Sequence, residues 1–191
     1  IQEVSDTAEV KLQKVPVVNV PSKERVFVEP ILPSQTVYII GGGHVSKEIA
    51  RLTKQVGLKT LVFDDRKAFT SRSRFPEVDG IHLCPEYRNI FAPFKITRNS
   101  YIIIVTRGHS YDKEVLAQAL ATEAGYIGMM GSRRKRDTIY NSLITEGVDE
   151  DSLDRVHCPI GLPIQAETPA ELAVSIVAEI ISHRASQESH D

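Results

Sequence analysis

From Thr36 onward, short apolar runs alternate with stretches in which apolar residues recur every three or four positions. The runs predict strands at 36–41 (TVYIIG), 59–64 (KTLVFD), 80–83 (GIHL), 100–105 (SYIIIV), 125–130 (GYIGMM) and 155–158 (RVHC). Several are continuously apolar, as strands of a parallel sheet covered on both faces are. Helical faces fall between them: Val45, Ile49, Leu52 and Val56; then Val115, Leu116, Ala119 and Leu120; then Ile139, Tyr140, Leu143 and Ile144. A last helix carries Leu172, Val174, Ile176, Val177, Ile180 and Ile181. The alternation predicts an α/β domain over 36–184, with a doubly wound, mostly parallel sheet and right-handed crossovers.

The pattern is different before Thr36. Residues 1–9 are polar and read as disordered, while 10–31 hold Val-rich extended pieces broken by Pro16, Pro21 and Pro30. Proline confines such pieces to short or edge strands, so residues 1–35 are expected to form a short N-terminal strand appendage. Residues 185–191 read as a frayed tail.

Composition narrows the function classes. Hydrophobic residues at 41% and charged residues at 25% are ordinary for a globular domain. A net charge of −2 gives no overall attraction to nucleic acid or acidic lipid, so neither is an expected partner and any anion site is local. The apolar runs are too short to span a bilayer, and a cytoplasmic location is expected. Cys84 and Cys158 lie far apart without C-x-x-C spacing, which argues against a disulfide framework and a structural zinc site. Each precedes a proline at a strand end and reads as a small buried hydrophobe. No metal site is expected.

In an open parallel sheet, ligands sit beyond the carboxyl ends of the strands. The loops expected there include GGGH (41–44), DDR (64–66), TRGHSYD (106–112), GSRRK (131–135) and CPIGL (158–162). Gly41 permits a tight turn, Gly43, after Gly42, lets a phosphate approach the backbone, and the amides opening the helix at His44 face the anion. Ser46 replaces the third glycine of the usual dinucleotide fingerprint. Asp64 lies 23 residues after Gly41, near the spacing at which an acid meets a ribose hydroxyl; Asp65 and Arg66 follow it, and Arg66 suits a 2′-phosphate. The other reading of the turn is a β–α connection that needs glycine for geometry alone.

Ser132 reads as an N-cap, which places Arg133, Arg134, Lys135 and Arg136 in the first turn of a helix. That end is already positive, and each ill-placed cation costs about 0.3–1 kcal/mol. Asp137 stands four residues after Arg133 and can pair with it. A bound anion would neutralise the rest; a solvated basic face is the alternative. Arg107, His109 and Asp112 stand opposite the glycine turn if the first and fourth strands are neighbours. His109 has acid–base capacity, while Ser110 or Asp112 reads equally as a cap for a helix beginning near Tyr111. Thr168, Pro169 and Glu171 make a capping box, a structural feature.

Taken together, EPILPSQTVYIIGGGHV, FDDR, GYIGMMGSRRKR and VHCPIGLPIQAETPAELAVSIVAEI resemble the C-terminal Rossmann domain of the XdhC/CoxI family. The likeness runs from about Val26 to Arg184, and the stretch ending VFVEP resembles the end of that family's preceding domain, of which 1–35 is the expected remnant. The resemblance implies a Rossmann-like fold and an accessory role for a xanthine dehydrogenase-type molybdenum hydroxylase. It implies binding of the molybdenum cofactor (molybdopterin), help in its sulfuration together with a cysteine desulfurase, and delivery to the apo-enzyme. The cofactor-binding residues it points to are Gly41–His44, Asp64–Arg66, Arg107, His109 and Ser132–Lys135. A homodimer is the expected assembly. Two departures stand out: the family's usual N-terminal domain, with its cysteine-bearing segment, is expected to be missing apart from that remnant, and within the Rossmann part Gln165 replaces a usual glycine and TRGHSYD differs from the family's THDH type of loop. Two other readings stay open, an NAD(P)-binding oxidoreductase and a nucleotide-binding regulatory or scaffold domain.

Overall fold

The computed structural model describes residues 35–188. The appendage expected before Thr36 and the last three residues of the chain lie outside it, Gln35 excepted. Six strands form one sheet: β1 (Thr36–Ile40), β2 (Lys59–Asp64), β3 (Gly80–Leu83), β4 (Ser100–Ile104), β5 (Tyr126–Met129) and β6 (Val156–His157). Their order is β3-β2-β1-β4-β5-β6 and every pairing is parallel. The doubly wound, Rossmann-like sheet expected above is therefore present. The predicted strands at 36–41, 100–105, 125–130 and 155–158 each prove one or two residues shorter. Gly41 leaves the strand because its φ is +114°.

Among the described residues five α-helices flank the sheet: α1 (His44–Gln55), α2 (His109–Leu120), α3 (Arg133–Thr145), the single turn α4 (Glu150–Leu153), and α5 (Pro169–Glu188). Alternate residues of each strand enter opposite cores. Val37, Ile39, Val62, Tyr101 and Ile103 pack beneath α1 and α5 against Ile49, Ala173, Ile176 and Ile180. Tyr38, Ile40, Phe63, Ile102, Ile104 and Met129 pack against Val115, Leu116, Ile139 and Leu143 of α2 and α3. Burying both faces is what makes these strands read as unbroken apolar runs. Over β1–β3 the second face is covered by the irregular segment 84–99, through Tyr87, Ile90, Phe91 and Phe94, where a helix is usual.

Helix ends follow their local chemistry. Thr168 Oγ1 accepts the Glu171 amide at 3.2 Å while Glu171 accepts the Thr168 amide at 2.9 Å, the capping box expected from the sequence. Helix α2 starts two residues before the expected Tyr111, with Gly108 as its N-cap and no side-chain cap. Neither Ser110 nor Asp112 caps it; Asp112 lies inside the helix, fully buried, and accepts from Thr106 Oγ1 at 2.6 Å. Helix α5 continues through Glu188, into the segment 185–191 read above as a tail.

Beneath α5, Glu179 accepts from the Tyr126 hydroxyl at 2.5 Å and from the Gly161 amide at 2.8 Å, and meets His157 Nδ1 at 3.3 Å. His183 Nε2 lies 2.9 Å from the Gly125 carbonyl oxygen. Burial outweighs that bond and holds the His183 imidazole below the ordinary histidine value of 6.5; burial does the same to His82, stacked on Phe63. Below about pH 6.5 the unfolded chain therefore binds protons that the folded chain excludes. The stability these groups contribute is complete above that pH and declines as pH falls. Urea midpoints should hold between about pH 7.5 and 6.5 and fall from there to about pH 5.5, and the fall should be shallower in His183→Gln; a midpoint independent of pH would contradict this.

Candidate functional site

The strand order reverses between β1 and β4, where Ile40 pairs with Ile104 and the loops after both strands open at the carboxyl edge. The three glycines after β1 have separate reasons to be there. At Gly41, with its positive φ, a Cβ would stand 2.3 Å from the Val105 carbonyl oxygen. At Gly42 it would stand 2.7 Å from the Phe69 carbonyl oxygen. Both are demanded by the fold. Gly43 is not: its backbone is extended (φ −68°, ψ −167°) and nothing lies within 4 Å of the place a Cβ would take. It is the N-cap of α1 and supplies no side-chain cap, so the first-turn amides have no capping side chain.

Asp64 closes β2 directly beside the turn. It is 1% exposed. Its Oδ2 accepts the Gly42 amide at 2.7 Å and Arg66 Nη2 at 3.0 Å, and its Oδ1 accepts the Arg66 amide and Nε, both at 2.9 Å. Burial by itself would push this carboxyl up, but the Arg66 guanidinium and the two amides outweigh it and hold it below the ordinary value. Asp65 accepts from Arg107 Nη2 at 2.6 Å, which ties the loop after β2 to the loop after β4 across the turn. Its amide lies 3.3 Å from the Tyr87 hydroxyl. Arg107 itself is half exposed.

The remaining expected residues divide between two places. His44 and His109 are exposed at the first positions of α1 and α2, on either side of the switch point. Ser132 is the N-cap of α3, with Oγ accepting the Lys135 amide at 3.2 Å. Of the cations that follow, only two stay in solvent. Lys135 turns inward, donating to the Met130 carbonyl oxygen at 3.0 Å and pairing with the buried Asp112. Arg136 pairs with Asp137 at 2.7 Å, so the pairing of Asp137 with Arg133 open to it in the sequence does not form. Arg133 and Arg134 are exposed, and no acidic side chain stands in that first turn. They follow β5, two strands from the glycine turn, about 10 Å at ordinary strand spacing.

Three participants escape a reading of the sequence. Arg74 donates from Nε to the Gly42 carbonyl oxygen at 2.8 Å. Phe69 carries the Arg66 guanidinium 3.6 Å and the Arg74 guanidinium 4.9 Å from its ring centroid. Tyr87 sits at φ 52° in the strained loop after β3, buried, with its hydroxyl at Asp65. All three belong to irregular segments without periodicity, which leave no signal to read. Around the turn, three guanidiniums (Arg66, Arg74, Arg107) meet two carboxylates (Asp64, Asp65), and the start of α1 adds about half a positive charge. The local balance is cationic in a chain whose overall charge is negative. Among the described residues no His, Cys, Asp and Glu group has the makings of a metal site, and no helix is long and apolar enough to cross a membrane.

Residues 37–180 match the family described as the XdhC Rossmann domain. The chain is 28% identical over 159 residues to a protein of Bacillus subtilis (strain 168) whose name marks it as part of a probable xanthine dehydrogenase; the match covers 83% of this chain and 46% of that protein. It is 29% identical over 143 residues to the uncharacterized protein YqeB of Escherichia coli (strain K12), across 75% of this chain and 26% of that one. A crystal structure described as a xanthine dehydrogenase from Bacillus halodurans superposes with a TM-score of 0.74 at 27% identity, covering 83% of this chain and 46% of the other. The chain spans less than half the length of these relatives.

The bracing role of Asp64 is testable without a ligand. Asp64→Asn puts an amide NH₂ against N–H donors and leaves Arg66 only the Asp65 carboxylate, 3.5 Å away, as counter-charge. It should cost about 2–4 kcal/mol in urea unfolding, since bonds to a charged group are worth about 1.5–3 kcal/mol each. A change below about 0.5 kcal/mol would show that the turn does not depend on that carboxylate.

Proposed function

Because the chain belongs to the XdhC family by its Rossmann domain, we propose that it is a maturation factor for a xanthine dehydrogenase-type molybdenum hydroxylase. In this reading it binds the molybdenum cofactor by its phosphate, assists its sulfuration and delivers it to the apo-enzyme in the cytoplasm. The observation that carries the reading is Gly43. The fold does not require glycine there, yet the position is left open over a helix start, with Arg74 bonded to the Gly42 carbonyl oxygen and Arg66 and Arg107 paired to Asp64 and Asp65 beside the turn. A phosphate fits that arrangement, because backbone amides and guanidiniums converge where the fold leaves room.

The bound cofactor supplies the molybdenum centre that the recipient enzyme uses. The residues of this chain that would hold it are the amides opening α1 and Arg107, for the phosphate, with His44 and His109 exposed at the two neighbouring helix starts. Neither cysteine is suited to carry sulfur. Burial pushes the Cys84 thiol up, and pushes Cys158 up to about 11, so neither is a thiolate at neutral pH. A cysteine desulfurase partner, the source that the family resemblance implies, supplies the sulfur in this reading. Arg133 and Arg134, exposed at the start of α3, offer a separate positive patch to a partner's acidic surface, and a homodimer is the assembly in which the chain does this.

Gel filtration of the chain with released molybdenum cofactor, followed by molybdenum and pterin analysis of the protein peak, tests the proposal. One cofactor per chain should co-elute. Arg107→Ala should weaken retention by roughly tenfold or more, the loss expected for one charge-assisted hydrogen bond. The Arg133→Ala, Arg134→Ala double variant should retain cofactor and fail in its transfer to the apo-enzyme. No retention at micromolar concentration would refute the reading.

A further inference from the structure

What the turn reads in a ligand is a separate matter, and it rests on the anion-binding reading above. In a parallel sheet of this order, the acid closing the second strand is the group that takes ribose hydroxyls from a dinucleotide. Asp64 holds that place. Each of its oxygens already accepts two hydrogen bonds, from the Gly42 amide and from three Arg66 donors, and the residue is 1% exposed. A carboxylate offers about four lone-pair sites, so none remains for a diol. A diol could enter only by displacing an Arg66 donor from the buried carboxylate, or the Gly42 amide, which would then lose its acceptor. Asp65 is no substitute, because its side chain is only 8% exposed, with Arg107 on Oδ2 at 2.6 Å and both Arg66 Nε and the Tyr87 hydroxyl 3.5 Å from Oδ1.

Donors, by contrast, are left over. Arg74 Nη2 and the Ser46 hydroxyl are buried with no hydrogen-bond partner among the described residues. Ser46 is 1% exposed in the first turn of α1, and the bond from Arg74 Nε to the Gly42 carbonyl oxygen fixes that guanidinium against the turn. We infer that this site recognises a phosphate ester through Arg74 and the start of α1, and is blind to the ribose hydroxyls of whatever carries the phosphate. Its ligand class is a phosphomonoester or diphosphate ester, on a pterin or on a nucleoside; a dinucleotide recognised by its diol is not in that class.

Calorimetric titration of the whole chain with ADP, 2′,3′-dideoxy-ADP, adenosine and a pterin diphosphate tests this. ADP and its dideoxy form should agree within about twofold, adenosine should not bind, and Arg74→Gln should weaken both nucleotides alike by roughly tenfold, one charge-assisted bond's worth. The pterin arm tells which ring the surroundings prefer, and either preference agrees with the inference while the ADP pair agree. A tenfold preference for ADP over its dideoxy form would overturn the inference while leaving the anion site standing. So would unchanged ADP affinity in Arg74→Gln, provided that variant melts like the parent. If no phosphorylated probe binds, the anion-binding reading itself fails, and the inference with it.

Discussion

The carboxylate of Asp64 is the point on which the switch-point end of the sheet is built. A charge this deeply buried persists only where donors replace its lost water, and four do. One is the amide of Gly42, which fixes the turn after β1 against the end of β2. The other three belong to Arg66, whose guanidinium then lies on Phe69, and the Phe69 carbonyl oxygen closes the space beside Gly42. Arg74 completes the ring by bonding the Gly42 carbonyl oxygen. Amide and carbonyl of the same glycine are thus held from two sides. The turn cannot shift without unsatisfying a buried group, and the start of α1 is held in place before any ligand arrives.

The same device recurs along the carboxyl edge. Asp65 takes Arg107 from the loop after β4, and Asp112, inside α2, takes Lys135 from the start of α3. In each pair a buried or nearly buried carboxylate draws in a cation from a neighbouring loop, which links loops that the sheet alone leaves independent. The pairing also sorts the cations. Lys135 and Arg136 become structural, while Arg133 and Arg134 stay in solvent. A basic cluster that reads as one unit in sequence is two units in space, with different work open to each.

Much of the architecture is legible in the sequence because its causes are local. Runs such as TVYII and SYIII are apolar throughout since both faces of the sheet are covered, and Thr168 with Glu171 announces the start of α5 by chemistry that needs no tertiary contact. What escapes depends on distant partners. Asp112 reads as a cap because its burial against Lys135 is invisible from spacing. Asp64 reads as available to a ribose because nothing in its neighbourhood in the chain reveals the Gly42 amide 22 residues away. Arg74, Phe69 and Tyr87 lie on segments 65–79 and 84–99, where irregular backbone replaces crossover helices and periodicity carries no information. Spacing alone also leaves unresolved which of three adjacent glycines the fold needs.

That last distinction gives the account its most direct test. Gly43 has an extended backbone that any residue adopts and open space where a side chain would stand, so beyond its place as the N-cap of α1 the fold makes no steric demand for glycine there, and the proposed ligand approach is what a side chain at that point would block. The measurement is a titration of Gly43→Val with the molybdenum cofactor, beside thermal melts of the free variant. The account predicts a melting midpoint within about 2 °C of the parent, less than about 1 kcal/mol for a domain of this size, and an affinity reduced by at least about tenfold. A variant that folds equally well and binds the cofactor as tightly as the parent would contradict it.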